Sequence, residues 1–470
     1  MNIAASILQC IKQLPQRSVQ VEPITGEQTC LKKRKLVLAY SGGVDSEILA
    51  HGLSLFAKQH LEFECLLVHV HHGLSGNADK WAEHCLSQAD VYGLSCIVKR
   101  VEVKLAPRVS VEAQARSVRY AALLSELEPD DLLMTAHHQD DQLETVLLAL
   151  KRGLGPKGLS AMGKVQGFNQ QNWIIRPLLD YSKAEIQAYA KQHDISHIED
   201  ESNFDDKYDR NFLRLEVIPA LKQRWSAIAA TASRSAELCA LQQSVIDEEI
   251  AIRLPELQQQ KGRGRTLCLD KLATYSKAWQ SLLLRGHMES QGFAPPSKVQ
   301  GEQILAQLLE AKVDASVEIR LTDVVIRRFK REGYFLSLDS VQNKANKVYP
   351  VVDVVNIDAL LSGDIALPTG GTLLTQRCQT GACLRFPTAS EQVSIVFALP
   401  GSTRCQPHNR SKGRELKKLW QELALPPWER GDVPLLCYDG KLVAAVGYWI
   451  EKSFLARDGT SGLSLNLRQS

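Results

Sequence analysis

The sequence predicts an α/β protein: a parallel-sheet domain with helices on both faces, then a mostly helical middle domain, then a small α+β C-terminal domain. Three observations predict it. An apolar strand, 36–40, runs directly into the turn Ser41-Gly42-Gly43-Val44-Asp45-Ser46 and a helical segment at 47–58. Short apolar runs then alternate with helical segments as far as Lys151, the pattern of a parallel sheet covered on both faces. Near residue 220 the alternation gives way to Ala- and Leu-rich helical periodicity. With 470 residues the chain exceeds what one hydrophobic core serves, so domains are expected at 1–220, 221–340 and 348–470.

The first turn has the design of a phosphate cradle. Adjacent glycines let the backbone bend sharply and approach a ligand. Free N–H groups at the following helix start form an anion site. Ser41 and Ser46 add hydroxyl donors. No Lys follows the glycines, so it is not a Walker A loop. The second strand, 64–70, ends at His71-His72-Gly73, and a helix is expected at 78–92. Strand 95–103 and helix 111–127 follow, the helix stopped by Glu128-Pro129. Strand 132–136 leads to helix 140–151, stopped by Gly153. In such sheets ligands sit beyond the carboxyl ends of the strands, where segments 41–46, 69–73 and 137–144 all fall. Asp141 and Glu144 are three apart and share a helix face. Near a helix start they suit the dipole, and together they can hold an ammonium group or Mg²⁺. His69, His71 and His72 do not read as a metal site. Neighbours on a strand point to opposite faces, and Cys partners at zinc spacing are absent.

Composition is that of an ordinary soluble globular protein, 44% hydrophobic and 23% charged. A net charge of +3 is too small to argue nucleic-acid binding by itself. The 11 cysteines are scattered, odd in number and form no Cys-x-x-Cys, which fits reduced thiols in a cytoplasmic protein without structural zinc or iron–sulfur sites. Lys12 interrupts the N-terminal apolar stretch, so no signal peptide is expected. No run of about eighteen apolar residues exists to span a membrane.

In the second half, helices are expected at 225–252, at 270–289 with Asp270 as N-cap, and at 298–311. Strands are expected at 315–328 and 334–338, and a polar linker at 339–347. Arg327, Arg328, Lys330 and Arg331 form a basic run. The final region begins near Val348. There Arg404, Arg410, Lys412, Arg414, Lys417 and Lys418 are opposed only by Glu415. A helix at 412–424 would bury Leu416, Leu419, Trp420 and Leu423 and leave a basic face. Pro426-Pro427 stops it, and Asp439-Gly440 signals a hairpin between 433–438 and 441–446.

Ser-Gly-Gly-x-Asp-Ser after a strand resembles the PP-loop of N-type ATP pyrophosphatases, a Rossmann-like fold. The resemblance sharpens along the chain. His69-Val70-His71-His72-Gly73-Leu74, Glu112-Ala113-Gln114-Ala115-Arg116-Ser117-Val118-Arg119-Tyr120 and Ala136-His137-His138-Gln139-Asp140-Asp141-Gln142-Leu143-Glu144-Thr145 follow in order. Lys151-Arg152-Gly153, Gly158-Leu159, Arg176-Pro177-Leu178-Leu179, Asp200-Glu201-Ser202-Asn203 and Arg210-Asn211-Phe212-Leu213-Arg214 complete the series. The series resembles the tRNA(Ile)-lysidine synthase family. The stretch from Leu416 through Pro426-Pro427-Trp428-Glu429-Arg430 to Leu436 resembles the C-terminal domain of its long form.

The resemblance implies that ATP adenylates the C2 oxygen of the wobble cytidine of tRNA(Ile) with a CAU anticodon. The ε-amine of free L-lysine then displaces AMP, and the anticodon reads AUA rather than AUG. It implies that Ser41, Gly42, Gly43, Val44 and Ser46 bind phosphates. Asp45 would hold Mg²⁺ or orient pyrophosphate, and Arg116 would meet the adenylate charge. Asp141 and Glu144 would take the lysine ammonium, while His137 and His138 would line the nucleotide pocket. Arg210, Asn211 and Arg214 would contact tRNA or seal the site, with an ion-pair role open for Arg214. The basic face of Arg410, Lys412, Arg414, Lys417 and Lys418 would grip tRNA phosphates. A homodimer stays open. The rivals are a PP-loop tRNA thiolase, disfavoured by the missing Cys-x-x-Cys, and a non-catalytic RNA-binding protein, disfavoured by the intact Asp45, Asp141 and Glu144.

Overall fold

The computed structural model describes residues 1–15, 33–73, 75–103, 111–169, 171–199, 201, 207–261, 264–312, 315–345, 349–354, 364–457 and 459–469. Cys30, Leu74, Asp200, Ser202, Asn203, Lys347 and Val348, and the side chains of Glu112 and Ala113, lie outside them. The chain divides into two compact units, Met1–Glu248 and Glu249–Ser470.

In the first unit six strands make one sheet: β1 (Arg34–Ala39), β2 (Phe63–His71), β3 (Ser95–Arg100), β4 (Leu132–Met134), β5 (Val165–Gly167) and β6 (Trp173–Ile175). Their spatial order is β3-β2-β1-β4-β6-β5. All neighbours are parallel except the β5–β6 pair at the edge. Helices α1 (Ile3–Lys12), α2 (Val44–Gln59), α3 (Ala78–Tyr92), α4 (Val111–Leu124), α5 (Gln139–Lys151), α6 (Pro156–Leu159) and α7 (Lys183–Gln192) join them. Side chains alternate along a strand. Leu36 and Leu38 therefore enter a core with Ile7 of α1, Leu49 of α2, Cys85 of α3 and Ile186 of α7. Val37, between them, enters a second core with Leu123 of α4. This is the doubly covered parallel sheet the alternation predicts. Strand order reverses between β1 and β4, so the loops after those two strands open at the switch point where ligands bind. The sequence pattern did not announce α1, α7, β5 or β6. Each is short, and the strands have only three residues to carry a period.

After α8 (Asp209–Phe212), a π-helical turn (Leu213–Val217) and α9 (Ile218–Arg224), the long helix α10 runs from Ile228 to Leu257. The second unit then forms a five-stranded sheet ordered β7-β8-β11-β10-β9. Its strands are β7 (Gln258–Lys261), β8 (Gly264–Cys268), β9 (Glu318–Arg320), β10 (Val324–Phe329) and β11 (Glu332–Ser337), packed on helices Lys277–Ser290 and Lys298–Glu310. Four expectations are corrected here. Asp270 caps nothing: it lies inside the short helix Leu269–Ala273, and the Ser276 hydroxyl, accepting from Trp279 N–H, caps the longer one. The strand expected at 315–328 is split by a turn into β9 and β10, which pair antiparallel. The polar segment expected as linker is helix Leu338–Ala345 over its described part. A disulfide joins Cys378 to Cys383, so uniformly reduced thiols are not found, although eight described cysteines are free.

The C-terminal part is strand-rich, with five-, three- and two-stranded sheets. The expected hairpin is present as Leu435–Tyr438 and Lys441–Ala445. Asp439 and Gly440 both take positive φ, 47° and 74°, as a type I′ turn requires. The expected basic helix is shorter, Leu416–Glu422. Arg414 and Glu415 are held extended by pairing with Arg404–Cys405, and Ala424, at φ 56°, ends the helix. Leu416, Leu419 and Trp420 are buried as expected, but Leu423 is 45% exposed.

Candidate active site

The loop after β1 is held ready before any ligand arrives. Ser46 Oγ donates to Gly43 O (3.0 Å) and accepts from Ser41 N–H (3.3 Å), and the two serine hydroxyls lie 3.1 Å apart. Gly42 takes φ +80°, a conformation that suits glycine. Ile198 donates its N–H to Gly42 O at 2.8 Å and forms a parallel bridge with Gly43. Helix α2 begins at Val44 after the N-cap Gly43, which offers no side-chain cap, so its first N–H groups remain available to an anion. Beneath the loop Glu47 is fully buried. It accepts from Tyr40 Oη (2.6 Å), Tyr92 Oη (3.0 Å) and His84 Nε2 (3.0 Å), and burial pushes its pKa up. These bonds tie the start of α2 to β1 and α3.

A chain of charged groups leads from this loop along the carboxyl edge of the sheet. Lys183 Nζ on α7 donates to Asp45 Oδ1 at 2.7 Å. His138 Nε2 lies 3.7 Å from the same oxygen. His138 caps α5: its Nδ1 accepts from the N–H groups of Asp140 (3.2 Å) and Asp141 (3.4 Å). Asp141 Oδ2 accepts the N–H of His138 in return, at 3.0 Å, completing a capping box. With Nδ1 an acceptor, the ring N–H is on Nε2, facing Asp45.

Asp141 and Glu144 do share a face, and both are buried. Arg214 sits across them, Nε on Glu144 Oε1 (2.8 Å) and Nη2 on Glu144 Oε2 (3.1 Å) and Asp141 Oδ1 (3.2 Å). Arg210 adds Nε on Glu144 Oε2 at 2.8 Å. Burial alone would raise the Asp141 pKa, but His138 and His137 nearby and the His138 N–H hold it below the usual carboxylate range. Burial pulls the Arg214 pKa down and the hydrogen-bonded Glu144 more than restores it, so the guanidinium stays charged. The two carboxylates are thus paired with the chain's own Arg214 guanidinium. Of the roles left open for Arg214, the structure shows the ion pair. Asn211, on α8 between the two arginines, is half-buried.

Arg116 is exposed on α4, its guanidinium 5.2 Å from the Tyr120 ring centre. Its charge helps depress the pKa of His137 and Arg176, though in both burial acts first. His137 Nδ1 lies 2.9 Å from Thr135 Oγ1. His69 is buried and bonded through Nδ1 to Tyr40 O, and no metal cluster forms among the described residues. Four buried side-chain polar atoms lack a partner among the described residues: His72 Nδ1, Asp140 Oδ1, Arg176 Nε and Trp428 Nε1. The first three follow the ends of β2, β4 and β6, the edge where a ligand belongs. His72 is informative: burial, then Arg119, lowers its pKa to about 4. Its Nε2 accepts from Arg119 Nε at 3.2 Å, so the unpartnered Nδ1 carries the proton and is a free donor.

Sequence reasoning gave no role to Lys183, Glu47, Arg176 or Ile198. Lys183 reaches Asp45 across 138 residues; only the capping box Ser182-x-x-Glu185, which starts α7, was readable locally. The basic C-terminal cluster is less free than expected. Glu422, as well as Glu415, opposes it, pairing with Arg410 at 2.5 Å and Arg414 at 2.9 Å. Lys417 and Lys418 lie 3.3 and 3.8 Å from Glu415, and Lys412 is exposed in the preceding loop.

A glycine-hinged anion loop at the switch point of a parallel sheet, without a Walker lysine, defines an ATP-binding enzyme of the PP-loop class. A family model described as a PP-loop domain matches residues 12–221. Models described as the TilS substrate binding domain and the TilS substrate C-terminal domain match 267–332 and 393–467. The chain is 54% identical to a tRNA(Ile)-lysidine synthase of Shewanella woodyi, over 92% of this chain and 93% of that one. It is 52% identical to the enzyme of that name from Shewanella oneidensis (92% and 94%) and 39% to that of Serratia proteamaculans (93% and 96%). The chain belongs to the tRNA(Ile)-lysidine synthase family.

Proposed function

We propose that the chain is the ATP-dependent ligase that converts the wobble cytidine of a CAU-anticodon tRNA(Ile) into lysidine. The cytidine C2 oxygen attacks the α-phosphorus of ATP, and pyrophosphate leaves. The ε-nitrogen of free L-lysine then bonds to C2, the C2–O bond breaks, and AMP leaves with that oxygen while the nitrogen gives up a proton. Binding phosphates at the uncapped start of α2 and the Ser41 and Ser46 hydroxyls steers the leaving pyrophosphate. Asp141 and Glu144 receive the positive end of lysine, which takes the place Arg214 holds in this structure. The observation that carries the reading is this juxtaposition: an anion loop and a buried carboxylate pair already seating a cation, at neighbouring strand ends.

A Mg²⁺ ion fits beside the loop. Asp45 is partly exposed there, and Mg²⁺ is usually held by one or two carboxylates plus phosphate oxygens. When bound it neutralises phosphate charge; Lys183 brings a positive charge to the same carboxylate. The tRNA is gripped by the regions 221–340 and 348–470, with chemistry confined to 1–220. Arg116 approaches the adenylate. A cytoplasmic setting suits the substrates; no helix of the described residues is long and apolar enough to cross a membrane. A homodimer is compatible with this scheme and not required by it. The test is mass spectrometry of tRNA incubated with ATP and lysine. A lysine adduct on the anticodon cytidine is expected; a sulfur adduct, or none, rejects the assignment.

A further inference from the structure

The fourth unpartnered buried atom lies far from the chemistry in sequence and belongs to the second unit. Trp428, in the Pro426-Pro427-Trp428 motif, lines a cavity of about 680 Å³ walled by the middle sheet on one side and the C-terminal strands on the other. That size falls among pockets that enclose small ligands, about 300–1,000 Å³. The indole stands edge-on to Tyr334, ring centres 5.3 Å apart, with the Arg327 guanidinium 5.1 Å from its own centre. Its Nε1–H is buried with no acceptor, whereas buried indole N–H groups normally find one. Arg265 is exposed on the lining, and among the described residues no carboxylate pairs with it. Glu429 and Asp432 line the same cavity.

This set of groups is selective. Aromatic faces and a guanidinium plane offer stacking. The indole N–H is a donor without a partner, and Glu429 and Asp432 add negative charge to the lining, Asp432 already accepting from Tyr349 Oη at 3.1 Å. A plain anion would be repelled by Glu429 and Asp432, and a plain hydrocarbon would leave the indole N–H unpaired. A nucleobase presents both a ring acceptor and an amino or imino donor on one edge, and its phosphate would meet Arg265. Proteins read RNA in this way at single-stranded loops and ends, where unstacked bases are free. We propose that the cavity around Trp428 binds one unpaired nucleotide of the tRNA substrate, outside the anticodon. The proposal rests on the reading that the chain acts on tRNA.

The test uses the full chain and a fluorescein-labelled single-stranded RNA tetranucleotide followed by fluorescence polarisation. Wild type is expected to bind it, a blunt RNA duplex of the same sequence to compete poorly, Trp428→Phe to weaken binding about fivefold, and Arg265→Ala about threefold. The cavity assignment is overturned by no binding, by variants that bind like wild type, or by a duplex that competes as well as the single strand. If Trp428→Phe melts early, Arg265→Ala, at an exposed side chain, decides alone. Lysidine formation by the same wild-type protein is scored by mass. Its absence rejects the ligase assignment, whereas tetranucleotide binding that depends on Trp428 and Arg265 upholds the cavity independently.

Discussion

Gly42→Ala separates two costs that the structure makes calculable. At φ +80° any L-residue is strained by about 1–2 kcal/mol. An added Cβ would also lie 2.4 Å from Ile198 Cδ1 and 3.0 Å from Cys85 Sγ, and overpacking of that kind costs about 1–3 kcal/mol. Ile198 is not free to retreat as a whole, because its backbone N–H is bonded to Gly42 O. The sum, about 2–5 kcal/mol, falls on the loop proposed to present its N–H groups to phosphate. At 1.4 kcal/mol per decade, kcat/KM for ATP should fall at least tenfold. The assay is pyrophosphate release against ATP concentration at saturating tRNA and lysine. In Gly42→Ala/Ile198→Ala the steric part is relieved but the φ strain is not, so recovery should be partial. A single variant within threefold of wild type, with an unchanged melting temperature, would refute the argument that this glycine shapes the phosphate site.

Asp45→Ala should abolish pyrophosphate release while the protein stays folded, since Asp45 is partly exposed and lies outside the core; circular dichroism and release are measured together. Neutralising the pair with Asp141→Asn and Glu144→Gln should raise KM for lysine far more than KM for ATP, and equal effects in steady-state kinetics would point to a metal role instead. Replacing Arg414, Lys417 and Lys418 by Ala should weaken tRNA binding and lower the slope of log affinity against log salt by about one to two rather than three, because Glu422 already pairs with Arg414 and Glu415 lies beside Lys417 and Lys418; an unchanged slope would leave the cluster a solvated face. His287 is fully buried, and burial, then Arg265, lowers its pKa from 6.5 to about 4. The unfolded chain therefore binds a proton below pH 6.5 that the folded one refuses. The contribution is fully present above pH 6.5 and is lost as pH falls toward 4, up to about 3 kcal/mol. Urea unfolding of wild type and His287→Gln across that window should show the steeper acid loss in wild type.

The geometry of the loop after β1 was legible in the sequence because one short segment holds all its parts: strand, paired glycines, hydroxyls and an uncapped helix start. The α3 boundaries and the Asp439-Gly440 hairpin were legible for the same reason, since a 3.6-residue period or a turn with two positive φ values is a local demand. So was the shared face of Asp141 and Glu144, fixed by helical spacing alone. The three-residue strands β5 and β6 carried too few residues to show a period, and α7 announced only its capping box, yet Arg176 just after β6 and Lys183 at the start of α7 reach the site. The basic helix was overestimated because pairing of Arg414–Glu415 with Arg404–Cys405, a long-range ladder, overrides helical periodicity. Only the tertiary structure decided which charge meets which. Lys183 on Asp45, Arg214 across Asp141 and Glu144, and Glu422 on Arg410 and Arg414 are all set by where elements pack. Local backbone preferences act over a few residues and can be read from them. Ion pairing and burial act through space, and the sequence separations of 138 and 70 residues at this site leave no periodic trace.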